Sequence, residues 1–385
     1  MDAVRVGIAG VGGMGSMHAR MLLEGKVPGA ELRGVSDLDP ERLKAFPDVQ
    51  GWTDPQAMFA DGGLDAVLIA TPHYDHVPLG IAALEAGLHL LVEKPIAVHK
   101  ADAERLIAAH AGRSSQVFAA MFNQRTDLHY QWVRARIADG TLGPIQRVCW
   151  TTTQWFRTDA YYASGGWRAT WAGEGGGVLL NQCPHQLDLW QWMFGMPVRI
   201  NAFCHLGRFH QIEVEDDVTA YLEYADGMSG VFMTTTGEAP GTNRLEIAAD
   251  KGRVVIEGDS MRFDRNEVAA SEFCANAEGP FASPRTSRED IHVGGSGEQH
   301  LGIWKNFVAA IQGREALLAP APEGIHSVEL ANAMLLSGMT GKSIDLPLDA
   351  AAYEAHLKTL IESSTFEKEQ GKTAAASAED MAQSF

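Results

Sequence analysis

Short apolar runs alternate with helix-spaced segments over the first 120 residues of the chain. Val4–Ala9 reads as a buried strand, and Gly10–Gly15 as a glycine turn opening a helix through Met21 and Leu22. Glu31–Ser36 is a second strand ended by Asp37, and Ala66–Ala70 a third, halted at Thr71-Pro72. A helix around Pro78–Ala86 leads into Leu88–Val92, which stops at Glu93-Lys94-Pro95. A further helix, Lys100–Ala111, precedes Gln116–Phe122. Strands that are apolar without a polar alternation predict a parallel sheet covered by helices on both faces.

The pattern changes after about residue 122. Asp127–Ala138 reads as an amphipathic helix ended by Gly140, and from Ile145 the strands become longer and more polar. Val218, Ala220, Leu222 and Tyr224 alternate with Thr219, Tyr221 and Glu223, and Asp226-Gly227 then turns the chain back through Val231 and Met233. Leu245–Ala249 and Val254–Glu257 repeat the device around Lys251-Gly252. Residues 275–300 read as a long loop, with helices at Leu301–Ile311 and Ser327–Leu336. From Ser363 the chain is polar and alanine-rich. A disordered tail and a segment docked on a neighbouring subunit both stay open there.

Gly10-Val11-Gly12-Gly13-Met14-Gly15 is a GxGxxG between a strand and a helix, with Asp37 ending the next strand. In a chain of 40 glycines the motif alone is weak, but this context is the one a dinucleotide fingerprint requires. Gly10 permits the tight turn, Gly12 lets backbone approach the pyrophosphate, and Gly15 allows close helix–strand packing. The helix N-terminus adds amide donors and a favourable dipole. A carboxylate at Asp37 accepts from the ribose hydroxyls and repels a 2′-phosphate. No Arg is expected beside it, so NAD is favoured over NADP. Asp39, before Pro40, reads as a turn or N-cap residue. The fold class is an α/β Rossmann domain followed by an α+β domain with a large, mostly antiparallel open sheet. The expected boundaries are 1–121 for NAD binding, 122–362 for substrate and subunit contacts, and 363–385 for the tail.

Composition narrows the function classes. The 385 residues are 45% hydrophobic and 21% charged, ordinary for a globular protein. A net charge of -18 with scattered Lys and Arg argues against nucleic acid. No window approaches the ~20 apolar residues of a membrane helix, and the start carries no signal-peptide pattern. Four cysteines without CxxC or zinc spacing predict reduced thiols in a cytoplasmic protein, and no metal site.

Metal-free alcohol oxidation needs a base for the hydroxyl proton and a cation for the developing alkoxide. Lys94 stands at the carboxyl end of a parallel strand, where ligands of such sheets bind, with Glu93 beside it. The second candidate stretch runs from Gly175-Gly176-Gly177 through Asn181 to His185 and Asp188. Pro184 suits a first helical position, which places His185 in the first turn, where imidazolium is disfavoured. A structural, hydrogen-bonded histidine is the equal alternative from this segment alone.

At these residues the sequence resembles the glucose–fructose oxidoreductase and inositol dehydrogenase family (Gfo/Idh/MocA). The glycine fingerprint, Ala70-Thr71-Pro72 with His76, Glu93-Lys94-Pro95, Gly166-Trp167-Arg168, Gly175–Gly177 and His185 with Asp188 occur in the family's order. The resemblance implies that Lys94 is catalytic, that His185 is the acid/base, and that Trp167 and Arg168 approach the nicotinamide end. It also implies a homo-oligomer, a dimer or tetramer, through the antiparallel sheet. Thr71, Pro72, His76 and Asn123 join the expected cofactor set. Many relatives carry Asp where this chain has Asn181, and Asn cannot take a proton.

Trp155, Tyr161, Tyr162, Trp167 and Trp171 crowd the segment before the glycine run and suit stacking on sugar rings. Arg125, Arg157 and Arg168 suit hydroxyls or cofactor phosphates. The stretch around Asn181 resembles a branch associated with glycosides and related pyranoses. The expected activity is therefore NAD-dependent oxidation of a secondary hydroxyl on a pyranose, glycoside or cyclitol. Lys94, Asn181 and His185 carry the chemistry, with Arg125, Trp155, Arg157 and Tyr161 on the substrate. A redox-neutral glycosidase holding its NAD, and a non-catalytic dinucleotide-binding regulator, are the alternatives.

Overall fold

The computed structural model describes residues 2–61, 63–294 and 296–368. Six short strands form its first sheet: β1 Val4–Ala9, β2 Ala30–Ser36, β3 Gln50–Trp52, β4 Ala66–Ile69, β5 His89–Val92 and β6 Phe118–Ala120. All pair parallel, in the order β3-β2-β1-β4-β5-β6. The strand order reverses between β1 and β4, so their carboxyl ends open a crevice. Two glycines make that crevice possible. Gly10 sits at φ +87, and a Cβ there would meet the Ala70 carbonyl oxygen at 2.7 Å. A Cβ on Gly15 would lie 1.8 Å from the Gly10 carbonyl oxygen, so only glycine lets the helix Gly13–Leu23 pack this close.

Nine strands form the second sheet: β7 Ile145–Thr152, β8 Arg199–Leu206, β9 Glu215–Glu223, β10 Ser229–Thr235, β11 Asn243–Ala249, β12 Gly252–Glu257, β13 Ser260–Asn266, β14 Thr286–Asp290 and β15 Ile344–Asp345. Their order is β14-β13-β12-β11-β7-β10-β9-β8-β15, and among the described residues only β7 with β10 pairs parallel. Helices Pro184–Phe194 and Gly324–Thr340 bury Leu187, Trp190, Leu330 and Leu335 in one core with Trp150 and Phe232 of the sheet.

Two expectations are corrected, and the start of the tail, left open above, is placed. The 275–300 stretch is not all loop, since it holds β14, whose five polar residues are all exposed. An edge strand that buries nothing leaves no apolar signal. The 122–362 span also does not belong to one core. Helix Gln299–Ile311 returns to the first sheet and buries Ile303, Trp304, Phe307 and Val308 there. An apolar stripe announces a helix but not the sheet that receives it. Finally, the first part of the tail lies on its own chain. Ser364 Oγ reaches Glu213, and Lys368 Nζ donates to the carbonyl oxygens of Gly165 at 2.5 Å and Arg168 at 3.0 Å. The rest of the tail, 369–385, lies outside the described residues.

The Gly15 contact sets a test. Gly15→Ala forces a methyl against backbone, which overpacking places at about 1–3 kcal/mol or more. A clear drop in thermal midpoint by circular dichroism is expected, and an unchanged midpoint would refute the packing argument.

Candidate active site

A cleft of about 480 Å³ opens at the carboxyl ends of β1, β4 and β5 and is closed over by the second domain. Gly10, Gly12, Gly13, Met14 and Asp37 line one end. Thr71, Pro72, His76, Glu93 and Lys94 follow, and Trp155, Arg157, Tyr161, Trp167, Arg168, Asn181 and His185 face them. Most residues expected at the site are thus brought together.

At the glycine end, Gly12 caps the helix Gly13–Leu23 without any side-chain hydrogen bond, and no acidic residue stands in the first turn. The first amides therefore await an acceptor. A Cβ on Gly12 would meet nothing closer than Arg42 Nη1 at 3.5 Å, so its glycine keeps space open rather than relieving a clash. Asp37 accepts from the Val11 amide at 3.0 Å and the Asp39 amide at 3.0 Å. A carboxylate offers about four acceptor positions, so capacity for ribose hydroxyls remains. The expectation of no Arg nearby is corrected: Arg42 Nη1 lies 3.4 Å from Asp37. The turn Pro40–Leu43 brings it back, with Asp39 as the N-cap accepting from the Glu41 amide at 3.0 Å.

At the other end, Lys94 Nζ donates to the backbone carbonyl of Asn181 at 2.7 Å, joining the two domains across the cleft. Burial pushes the Lys94 pKa below the ordinary lysine value, while neighbouring Glu93 pulls it back up. Glu93 takes the Lys94 amide at 3.1 Å and faces His18 Nε2 at 2.9 Å. The Trp304 indole donates to His18 Nδ1 at 2.9 Å, so the His18 proton sits on Nε2 and points at Glu93. Burial opposes that carboxylate most strongly, but the His18 hydrogen bond together with the charges of His18, His300 and Lys94 overcomes it and brings Glu93 to about 2.

The turn from Gly175 to Asn181 owes its path to close backbone packing. A Cβ on Gly177 would lie 2.0 Å from the Glu215 carbonyl oxygen. The Glu215 carboxylate takes the amides of Gly177 at 2.8 Å and Leu179 at 2.9 Å. This seats Asn181 on the cleft and starts the helix that carries His185 in its first turn. His185 is 2% exposed, and neither ring nitrogen has a partner among the described residues. Buried polar atoms are rarely left so, which marks the ring as awaiting a ligand. Burial, then the Lys94 charge, hold its pKa well below the ordinary histidine value, so the ring is a neutral base.

The aromatic segment is layered with arginine. The Arg168 guanidinium lies 4.6 Å from the Tyr161 ring and 4.7 Å from Trp167, and Arg157 lies 5.1 Å from Tyr161. Arg168 Nη1 donates to Tyr161 Oη at 2.8 Å, and Tyr161 Oη to Asn181 Oδ1 at 3.3 Å.

Three placements differ from expectation. Arg125 is fully buried away from the cleft, held by Asp188 at 2.6 Å and Glu323 at 2.6 Å. A guanidinium with two carboxylate partners fixes the fold and has nothing left for substrate. Asn123 is 1% exposed and gives its amide to Gln299 at 2.9 Å, so it stands behind the cleft. Gly15 acts through packing and does not line the cleft. Sequence reasoning missed Arg42, His73, Glu174 and Gln182. His73 follows Thr71-Pro72 and packs edge-on to Trp167 at 5.3 Å. Glu174 adjoins the glycine run, and adjacency to motifs already singled out was the available signal. Among the described residues, no group of three or more His, Cys, Asp or Glu could hold a metal ion.

Residues 4–121 match the family described as an oxidoreductase family with an NAD-binding Rossmann fold, and residues 130–255 match the GFO/IDH/MocA C-terminal domain. The chain belongs to this Gfo/Idh/MocA family. It is similar to inositol 2-dehydrogenase 1 of Saccharopolyspora erythraea, 36% identical over 152 residues, or 38% of this chain. The chain spans about half the length of that relative, 45%. It is 26% identical over 346 residues to the D-glucoside 3-dehydrogenase of Escherichia coli K12, covering 82% of this chain and 90% of the relative. The WlbA dehydrogenase of Bordetella pertussis, solved with NADH and UDP-GlcNAcA, superposes with a TM-score of 0.75 at 27% identity. That match covers 90% of this chain and 100% of the other. The glycine end of the cleft is accordingly a site for NAD, and the uncapped amides and Asp37 fit it.

Asp37→Ala removes the carboxylate placed to accept from ribose hydroxyls, where each hydrogen bond is worth about 0.5–1.5 kcal/mol, or more where charged. NADH affinity, measured by fluorescence titration, is expected to fall about tenfold or more, with preference over NADPH reduced. Unchanged affinity would remove Asp37 from the site.

Proposed function

We propose that the chain catalyses NAD-dependent oxidation of a secondary hydroxyl of a pyranose, glycoside or cyclitol to a ketone. The observation that carries this reading is His185: buried in the cleft, neutral, unpartnered at both nitrogens, and facing the cleft that Lys94 lines. A substrate hydroxyl between them meets a base and a cation at once, the pair that alkoxide formation demands. His185 takes the hydroxyl proton, and the Lys94 ammonium stabilises the negative oxygen left behind. Asn181 and Tyr161 hold neighbouring hydroxyls, while Trp155 and Trp167 exclude water and offer aromatic faces to the ring. Bound NAD+ supplies the hydride acceptor. The names of the relatives, an inositol and a glucoside dehydrogenase, support the same substrate classes.

The open face of the second sheet supports self-association. Phe203 is 68% and Tyr221 46% exposed, on the neighbouring strands β8 and β9. Large exposed apolar side chains together mark interaction surfaces. Free thiols at Cys149, Cys183, Cys204 and Cys274 fit a cytoplasmic setting, and no described helix is long and apolar enough to cross a membrane.

Two tests follow from the pair and the sheet. NADH formation with a panel of sugars, glycosides and inositols is expected for the unchanged protein and nearly abolished, about 10²-fold or more, in Lys94→Ala and His185→Ala. The acid limb of kcat/KM belongs to His185 and falls below pH 6.5, because its pKa is depressed and the base must be neutral. The alkaline limb belongs to Lys94 and falls below pH 10.5, because its pKa is lowered and the cation must persist. Release of aglycone without NADH would replace this reading by the redox-neutral one. For the sheet, light scattering should give a multiple of the chain mass, and Phe203→Glu with Tyr221→Glu should lower it. A monomeric unchanged protein would refute the surface.

A further inference from the structure

Glu174 has no part in the reaction just described, yet it is 2% exposed and stands between two segments that close over the cleft. One carboxylate oxygen accepts the Ala169 amide at 2.6 Å, and the other meets the Asn181 side-chain nitrogen. Ala169 itself is held at φ +57, a left-handed conformation that an alanine rarely adopts without restraint. Burial pushes the Glu174 pKa above the ordinary value, opposed by the Arg168 charge, the two hydrogen bonds and the Lys94 charge. Both carboxylate oxygens face N–H donors, the geometry of the ionised form, since a protonated carboxyl would set a hydrogen against one of them.

This arrangement resolves the orientation of Asn181. An amide offers a donor nitrogen on one side and an acceptor oxygen on the other. A carboxylate accepts only, so Glu174 must take Nδ2, and Oδ1 is turned towards Tyr161 Oη. The Asn181 backbone carbonyl meanwhile holds Lys94 Nζ at 2.7 Å. One residue is thus gripped by Glu174 through its side chain and grips the lysine through its backbone.

Charge points the same way. Lys94, Arg157 and Arg168 place three cations along this end of the cleft. His73, His185 and His300 also act on or feel Lys94, but burial pushes all three below the ordinary histidine value. The Cys183 thiol, pushed up by burial to about 12, is neutral as well. Glu93 and Glu174 are the carboxylates that raise Lys94.

We propose that Glu174 is a positioning residue that fixes the Asn181 amide with its oxygen towards Tyr161 at the cleft wall and sets a negative charge against the cations Lys94, Arg157 and Arg168. The catalytic half of this inference rests on the dehydrogenase reading above. Glu174→Gln keeps the shape and removes the charge. Its kcat is expected to fall about tenfold or more, with NADH affinity within about twofold of the unchanged protein. The alkaline limb of its kcat/KM profile moves to lower pH, because Lys94 loses a raising charge. Asn181→Asp alone sets two buried carboxylates in contact and should be impaired too. The double variant Glu174→Gln with Asn181→Asp returns one carboxylate and one amide to the pair and should recover most of the activity. A lysine 13Cε titration of Lys94 by NMR, which requires no substrate, should show its pKa lowered in Glu174→Gln. An unmoved Lys94 titration, or an unmoved alkaline limb with no recovery in the double variant, would overturn the role of Glu174. Failure of the unchanged protein to oxidise any polyol, with the Lys94 shift still seen, would overturn the reaction and spare the electrostatic role.

Discussion

The hydrogen bond from the Lys94 ammonium to the Asn181 carbonyl is the contact on which the site depends. It joins the last turn of a parallel strand to the glycine turn of a different domain, 87 residues further along. Neither end could reach the other without close backbone packing behind it. On one side Gly15 lets a helix lie against the Gly10 turn, and on the other Gly177 lets its turn lie against β9. Glu215 then takes two amides of that turn, and burial raises its own pKa to about 7. Small residues and one buried carboxylate therefore decide where the Lys94 ammonium stands.

Given that contact, the electrostatics follow from burial. Burial at the cleft opposes charge, and a group stays ionised only where hydrogen bonds and opposite charges outweigh that cost. His185 has no hydrogen-bond partner among the described residues, and burial holds its pKa well below the ordinary histidine value. Glu93 has His18 behind it, itself oriented by the Trp304 indole, and stays ionised. Trp304 comes from the helix Gln299–Ile311, the late segment that returns to the first core. The return of that helix is thus tied to the chemistry as well as to packing.

Arg125 and Arg168 show why residue type alone misleads. Both are arginines near recognisable motifs, and both were expected on ligands. Arg125 faces Asp188 and Glu323 in the interior, so its charge is consumed by the fold. Arg168 stacks on Tyr161 and Trp167 at the cleft wall, where its charge reaches Lys94. What separates them is which carboxylates fold beside them, and those lie 63 and 198 residues away from Arg125.

Local physics made much of this protein legible in the chain itself. A strand without polar alternation must be covered on both faces, and a GxGxxG between strand and helix has few other uses, so the Rossmann half and its NAD site could be read directly. Asp226-Gly227 and Lys251-Gly252 announced their hairpins for the same reason, since turn geometry needs particular residues. Lys94, Asn181 and His185 stood out because each lies beside a strong local signal. Tertiary structure alone decided the rest. Thr286–Asp290 is a strand only because β13 offers an edge, Arg42 meets Asp37 only because a short helix turns it back, and Glu174 meets Asn181 only because the glycine turn folds on itself. Local pattern reports the faces a segment must bury; partners far apart in sequence are chosen by packing, which leaves no periodicity to read.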